Sequence, residues 1–214
     1  MCTMNILAFT DHHGHDKSFE SVKKKAAKAD LIVCCGDFTR FGKNIEKQLI
    51  EFNKIGKPVI LIPGNHEENE PLDAICEELE NVFDADRGVV HTDDLTLFGF
   101  GGGGFNHEDK NLEKLIKEVK KNLNDKPLIM MTHAPPYNTK LDFIPIYGHV
   151  GNKSINLAIK ELKPKILLCG HLHETFHQKD KLYSTILINP GPDGTMITLN
   201  VEKNNEKNKN KIKK

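Results

Sequence analysis

Short β-branched runs recur along this chain with helix-like segments between them, and that alternation limits the folds open to it more than any other feature. The runs expected as strands are Asn5–Thr10, Leu31–Cys35, Pro58–Ile62, Gly88–His91, Leu95–Phe100, Leu128–Thr132, Lys165–Cys169, Tyr183–Asn189 and Thr195–Val201. Helices are expected over Lys17–Ala29, Lys43–Ile55, Leu72–Glu80, Lys110–Leu123 and Lys153–Leu162; in the fourth, Leu112, Leu115, Ile116 and Val119 share one face. Strand–helix alternation predicts an α/β protein with a largely parallel sheet in its first half. The later strands lack intervening helices, so mixed or antiparallel pairing is expected there.

With 214 residues, 38% hydrophobic and 28% charged, the chain can bury one sizeable core. Its formal charge is zero but uneven. Residues 202–214 hold six lysines against Glu202 and Glu206, a local +4, which leaves the remainder at −4. An acidic body argues against a basic nucleic-acid face. The absence of Trp and an aromatic content of 7% argue against a base-stacking platform. The organisation expected is one domain over 1–201 and a solvated, disordered Lys/Asn-rich tail over 202–214. An odd count of five cysteines without a CxxC pair argues against a disulfide framework or thiolate zinc site. No apolar run is long enough to span a bilayer, and the chain opens on a strand rather than a leader. A reduced, cytoplasmic location follows as the expectation.

The chemistry-bearing residues gather where strands are expected to end. Asp11-His12-His13 follows the first strand, Gly36-Asp37 the second and Gly64-Asn65-His66-Glu67 the third. His133 follows a later strand, and Gly170-His171-Leu172-His173 the next. Strand carboxyl ends of an open α/β sheet line one crevice, so these residues can converge. Each fragment alone is an ordinary turn; five in workable order are not a coincidence. Together they offer two carboxylates (Asp11, Asp37), one amide oxygen (Asn65) and four imidazoles (His13, His133, His171, His173). Mixed N/O donors without thiolate suit Mn, Fe, Zn, Co or Ni rather than calcium, with Mn favoured. Seven donors exceed one site and fill two if one carboxylate bridges. Two such ions clamp a phosphoryl oxygen and share a hydroxide aimed at phosphorus.

Asp11-x-His13, Gly36-Asp37, Gly64-Asn65-His66-Glu67, His133 and Gly170-His171-x-His173 resemble, in order, the five blocks of the calcineurin-like metallophosphoesterases. His133-Ala-Pro-Pro, His149-Val-Gly and Asn189-Pro-Gly resemble the small bacterial and archaeal members more loosely. The resemblance implies a four-layer α/β/β/α sandwich with a dinuclear metal site at the C-terminal ends of the strands. It assigns Asp11, His13, Asp37 and His173 to one metal. Asp37, as bridge, with Asn65, His133 and His171 would hold the other. His66 would bind no metal; it would contact phosphate and protonate the leaving alkoxide, a task suited to an imidazolium near neutral pH.

The run Gly36-Asp37-Phe38-Thr39-Arg40 differs from the family's protein phosphatases, which place an Asp-Arg pair after Gly-Asp. Arg40 is therefore a candidate phosphate contact only, and His149 a candidate substrate contact from a loop. Gly99–Gly104 formally fits GxGxxG, but the following strand ends in Thr132-His133 rather than an acidic residue. A glycine-rich bend beside the site is the better reading than a dinucleotide loop. His12 should face away from His13, while His15, His91, His107 and His177 read as surface residues. The function expected is metal-dependent hydrolysis of phosphate esters, diesters favoured, by attack of a metal-bridging hydroxide. The alternatives are a phosphomonoesterase or nuclease of the same superfamily, or a non-catalytic metal-bound interaction module.

Overall fold

The computed structural model describes residues 2–201 and 212. Its first half is β1 (Cys2–Phe9), α1 (Asp16–Ala26), β2 (Leu31–Cys34), α2 (Ile45–Asn53), β3 (Val59–Leu61), α3 (Leu72–Glu77) and β4 (Val82–Asp84). Next come β5 (Val89–His91), β6 (Thr96–Phe100), α4 (Lys110–Asn122), β7 (Leu128–Thr132) and a short hairpin, β8 (Phe143–Ile144) and β9 (Gly148–His149). The chain ends its described course with α5 (Lys153–Leu162), β10 (Ile166–Leu168), β11 (Lys179–Leu182), β12 (Thr185–Ile188) and β13 (Thr195–Val201).

The strands form two main sheets, ordered β13-β1-β2-β3-β4 and β11-β12-β10-β7-β6-β5. The mixed α/β expectation holds: β1, β2, β3 and β4 are mutually parallel. Antiparallel pairs occur where helices are missing, at β1–β13, β5–β6 and β11–β12. Three short elements escaped the sequence pattern. β4 is an edge strand of three residues, β8–β9 a hairpin of two-residue strands, and β11 reads Lys-Asp-Lys-Leu, with no apolar run to betray it. The single strand expected over Tyr183–Asn189 is in fact β12, paired back onto β11.

Successive side chains of the buried strands enter opposite clusters, as a pleat demands. Ile6 and Ala8 of β1 join an apolar cluster with Val33, Ile60, Leu97, Ile129 and Leu168, drawn from both sheets and from no helix. Leu7 and Phe9 point the other way, into a cluster with Phe19, Val22, Leu49 and Phe52 of α1 and α2. A third cluster packs Leu112, Ile116 and Val119 of α4 and Ile155 and Ile159 of α5 against Met130 and Leu167. The α4 stripe is therefore core. Leu115 packs at its margin.

Helix starts are set locally. The Asp109 carboxylate accepts from the backbone N–H of Asn111 and Leu112, and the Asn152 amide oxygen does so from Ser154 and Ile155. Except for Ile212, which packs against the inter-sheet cluster, the tail assigned to 202–214 lies outside the described residues. Among the described residues, no helix is long and apolar enough to cross a membrane.

Candidate metal centre

All five expected blocks leave the carboxyl ends of parallel strands. Asp11, Asp37 and Asn65 follow β1, β2 and β3 of one sheet; His133 and His171 follow β7 and β10 of the other. Past the strands, backbone pairing continues from loop to loop. The Asp11 N–H donates to the Gly36 carbonyl (3.0 Å), His13 to Asp37 (2.9 Å) and Gly170 to His133 (2.9 Å).

The close approach of these loops explains their glycines. A side chain on Gly36, which also has φ +94°, would strike the Gly64 backbone; one on Gly64 would strike the Asp37 carboxylate, and one on Gly170 the Asp11 carboxylate. Four candidate ligands themselves take left-handed backbone: Asp11 (φ 54°), His13 (48°), Asp37 (51°) and His171 (69°). Non-glycine residues pay strain energy for that conformation, and such strain gathers at functional sites.

The seven side chains meet. Asp37 Oδ2 lies 3.4 Å from His133 Nε2, 3.9 Å from His66 Nε2 and 4.0 Å from His13 Nε2. His173 Nε2 is 3.7 Å from Asp11 Oδ1 and 3.2 Å from His13 Nε2. Asn65 Oδ1 sits 3.0 Å from His133 Nε2 and 3.1 Å from His171 Nδ1. Among the described residues, three sets have ligand atoms within 4.8 Å of one another: Asp11–His13–His173, His13–Asp37–His66 and Asp11–Asp37–His133. Asp11, His13 and Asp37 each recur in two sets.

The donor chemistry fits a cation. His133 donates Nδ1–H to the Cys35 carbonyl (2.9 Å), which turns its Nε2 toward Asp37 and Asn65. Both ring nitrogens thus face oxygen acceptors, so a second positive species is required at Nε2. A proton serves in its place: burial pushes the His133 imidazole down, but Asp37 and Asp11 outweigh it and raise it to about 9. Burial likewise opposes ionisation of Asp37, yet His133 and His66 hold that carboxyl down at about 2. Asp11 is also lowered against its burial, chiefly by His173, and His173 is raised by Asp11. The His171 backbone N–H donates to Asp11 (3.0 Å), but its ring is lowered to about 4 by burial and the His133 charge, leaving it a neutral donor.

His66 occupies a different position. Its backbone N–H donates to Asp37 Oδ1 (2.9 Å), and its Nδ1 lies 3.1 Å from the Thr39 carbonyl. The ring is half-buried, tilted against His13 at 4.6 Å and stacked on Phe41 at 4.2 Å. Arg40 is exposed and lines, with His13, Thr39, Lys43 and Lys47, a groove of about 440 Å³ beside the cluster. His149 is held elsewhere: its Nδ1 bonds Asp142 (2.8 Å), and it lines a separate cavity containing none of the seven candidate ligands. His12 faces the outer core as expected, stacked between Phe9 and Phe19 and lowered to about 4 by burial. The glycine-rich bend does run beside the site, Phe105 packing edge-on against His171 at 4.4 Å.

Two supporting residues carried no role in the sequence reading. Buried Glu67 accepts from the backbone N–H of Asp37 (2.9 Å), Thr39 (2.8 Å) and Gly64 (3.0 Å), tying two ligand loops together. Asn189 donates Nδ2–H to the Leu172 carbonyl (3.2 Å) and so fixes the His171–His173 turn. Both lay in quoted motifs, Gly64–Glu67 and Asn189-Pro-Gly; their acceptor and donor capacity was the available signal.

The crevice between two sheets, with carboxylates and imidazoles converging at strand ends, defines a metallophosphoesterase class of site. The family model described as calcineurin-like phosphoesterase matches residues 4–175, and the chain belongs to that family. It is similar to the uncharacterized protein MJ1162 of Methanocaldococcus jannaschii, 36% identical over 208 residues, covering 91% of each chain. A probable glycerophosphodiester phosphodiesterase, GpdQ of Arcobacter nitrofigilis, is 28% identical over 159 residues, 68% of this chain and 57% of that protein. The 3',5'-cyclic adenosine monophosphate phosphodiesterase CpdA of Pseudomonas aeruginosa is 24% identical over 182 residues, 81% of this chain and 65% of its own. Among solved structures, TT1561 of Thermus thermophilus superposes with a TM-score of 0.71 at 17% identity, over 90% of this chain and 91% of that one. The family is generally one of metal-dependent hydrolases acting on phosphate esters.

Proposed function

We propose that the protein hydrolyses phosphate esters with two divalent ions, and that diesters are preferred over monoesters. The observation that carries this reading is the convergence of Asp11, His13, Asp37, Asn65, His133, His171 and His173 around Asp37 Oδ2 and Asn65 Oδ1. Asp11, His13, Asp37 and His173 would hold one ion, and Asp37, Asn65, His133 and His171 the other. When bound, such ions supply positive charge to phosphoryl oxygens and activate water for attack on phosphorus. The all-N/O donor set supports Mn, with Fe, Zn, Co and Ni as alternatives. The four-layer α/β/β/α arrangement is supported by three separate apolar clusters, one between the sheets and one under each helix set.

His66 acts as the general acid. Its Nδ1 lies 3.1 Å from the Thr39 carbonyl, which turns Nε2 toward Asp37 at 3.9 Å, and from there the half-buried ring would protonate a departing alkoxide. An acid at that place matters most for poor leaving groups, which supports the diester preference, as do the diesterase names of two relatives. Arg40 borders the groove beside His13, where a phosphate substituent would extend. His149 serves the Asp142 loop. The buried thiols of Cys34, Cys35 and Cys169 support a reducing, cytoplasmic setting.

The test is hydrolysis of bis(p-nitrophenyl) phosphate and p-nitrophenyl phosphate by one metal-reconstituted preparation, across Mn, Fe, Zn, Co and Ni. Diester turnover above monoester turnover is expected. Faster monoester turnover overturns the diester preference, and two bound metals without hydrolysis of either ester overturns the enzyme in favour of an interaction module.

A further inference from the structure

Two phenylalanines stand at the mouth of the cluster in positions that a fold would ordinarily avoid. Phe41 is 79% exposed and Phe105 61% exposed. Phe41 takes φ 51° and is followed by Gly42 at 69° and Asn44 at 59°, so this loop turns through left-handed backbone to present its ring. A bulky side chain in that conformation is uncommon, and here no burial repays it. Each ring contacts a different site histidine: Phe41 stacks on His66 at 4.2 Å and 16°, and Phe105 meets His171 edge-on at 4.4 Å. The two come from separate loops, one after β2 and one after β6. Phe176, stacked on His173 at 4.8 Å, is half-buried and serves as backing for that ring.

Resting on the phosphoesterase reading, we infer that Phe41 and Phe105 form an aromatic rim that selects phosphate esters carrying a planar, apolar ring on the group attached to phosphorus. His66 is the residue nearest a leaving group, so a ring on that group comes against Phe41. Stacking of aromatic faces, and the removal of two exposed phenyl rings from water, supply the preference. An aliphatic substituent of equal size covers the rim without matching its faces.

The probes are methylphosphonate, phenylphosphonate and cyclohexylphosphonate, titrated calorimetrically into the metal-reconstituted full chain. Binding is read directly, so no leaving-group chemistry enters. Wild type should bind phenylphosphonate about tenfold more tightly than methylphosphonate, a span typical of one stacked ring. Phe41→Ala and Phe105→Ala should each shrink that ratio, and the double variant should abolish it. A Phe105→Ala effect is essential, because Phe41→Ala alone could act by releasing His66. Equal affinity of wild type for the phenyl and methyl probes overturns the rim. Cyclohexyl binding as tight as phenyl overturns its selectivity for planar rings. Failure of methylphosphonate to bind overturns the phosphate-binding reading beneath it, and the rim with it.

Discussion

The layer beneath the site, centred on Glu67, and the site face, centred on Asp37, each hold a buried carboxylate, and they treat it in opposite ways. Glu67 accepts three backbone N–H groups and the Thr39 hydroxyl. Burial still dominates there, and with the Asp37 charge nearby it raises the Glu67 carboxyl. Asp37 is equally shut off from solvent, but His133 and His66 overcome its burial and hold it at about 2. Backbone amides fix loops, whereas imidazoles leave a carboxylate ionised and open toward a cation. A similar knot recurs at Asp142, which accepts N–H groups from Asn138, Thr139 and Gly151.

The strongest way to break this division is Asp37→Asn. Activity should fall to background and metal content should drop, because one neutral amide replaces the shared anion. Wild-type turnover with two metals per chain would refute the assignment. His66→Ala comes next: kcat on a poor-leaving-group diester should fall on the order of 100- to 10,000-fold, with metal content intact. An activated aryl ester should lose less. Equal losses would leave His66 as a phosphate contact, and metal loss would make it a ligand, as its proximity to His13 and Asp37 allows.

Glu67→Gln sharpens the comparison from below. One amide N–H would face backbone N–H donors, so stability should fall by about 1–3 kcal/mol. For a chain of this size that is roughly 2–4 °C of Tm per kcal/mol. Unchanged Tm with metal loss like that of Asp37→Asn would erase the distinction between layer and face. The smallest effect is in pH. With His133 raised to about 9 from an ordinary 6.5, its proton stabilises the metal-free fold below the ordinary value, and this is lost as pH rises through about 9. A metal ligated by His133 would displace that proton, so metal uptake should strengthen over the same window. Thermal melts with and without metal across it should diverge as pH rises; parallel curves would contradict ligation by His133.

The centre was legible because its residues must end strands and its glycines must clear neighbouring loops; both demands act locally and leave motifs. Fold class followed from periodicity. What escaped is set by partners. Lys179–Leu182 is a strand only because β12 supplies the ladder, and Val82–Asp84 only because β3 does. Phe41 and Phe105 look in sequence like any core phenylalanine; at Phe41 a left-handed backbone (φ 51°) accompanies the exposed ring. His149 sat in a promising loop, and Asp142, seven residues earlier, took it.

The pairing of Cys2 with Val201 has a consequence for how the molecule is made. β1 lies second in its sheet, and the neighbour on its outer side is β13. During synthesis β1 therefore waits, one flank unpaired, until residues 195–201 have been made. His173 likewise arrives long after Asp11, which it must face. Shortening the chain before residue 195 would make the buried strand β1 the edge of its sheet in place of β13.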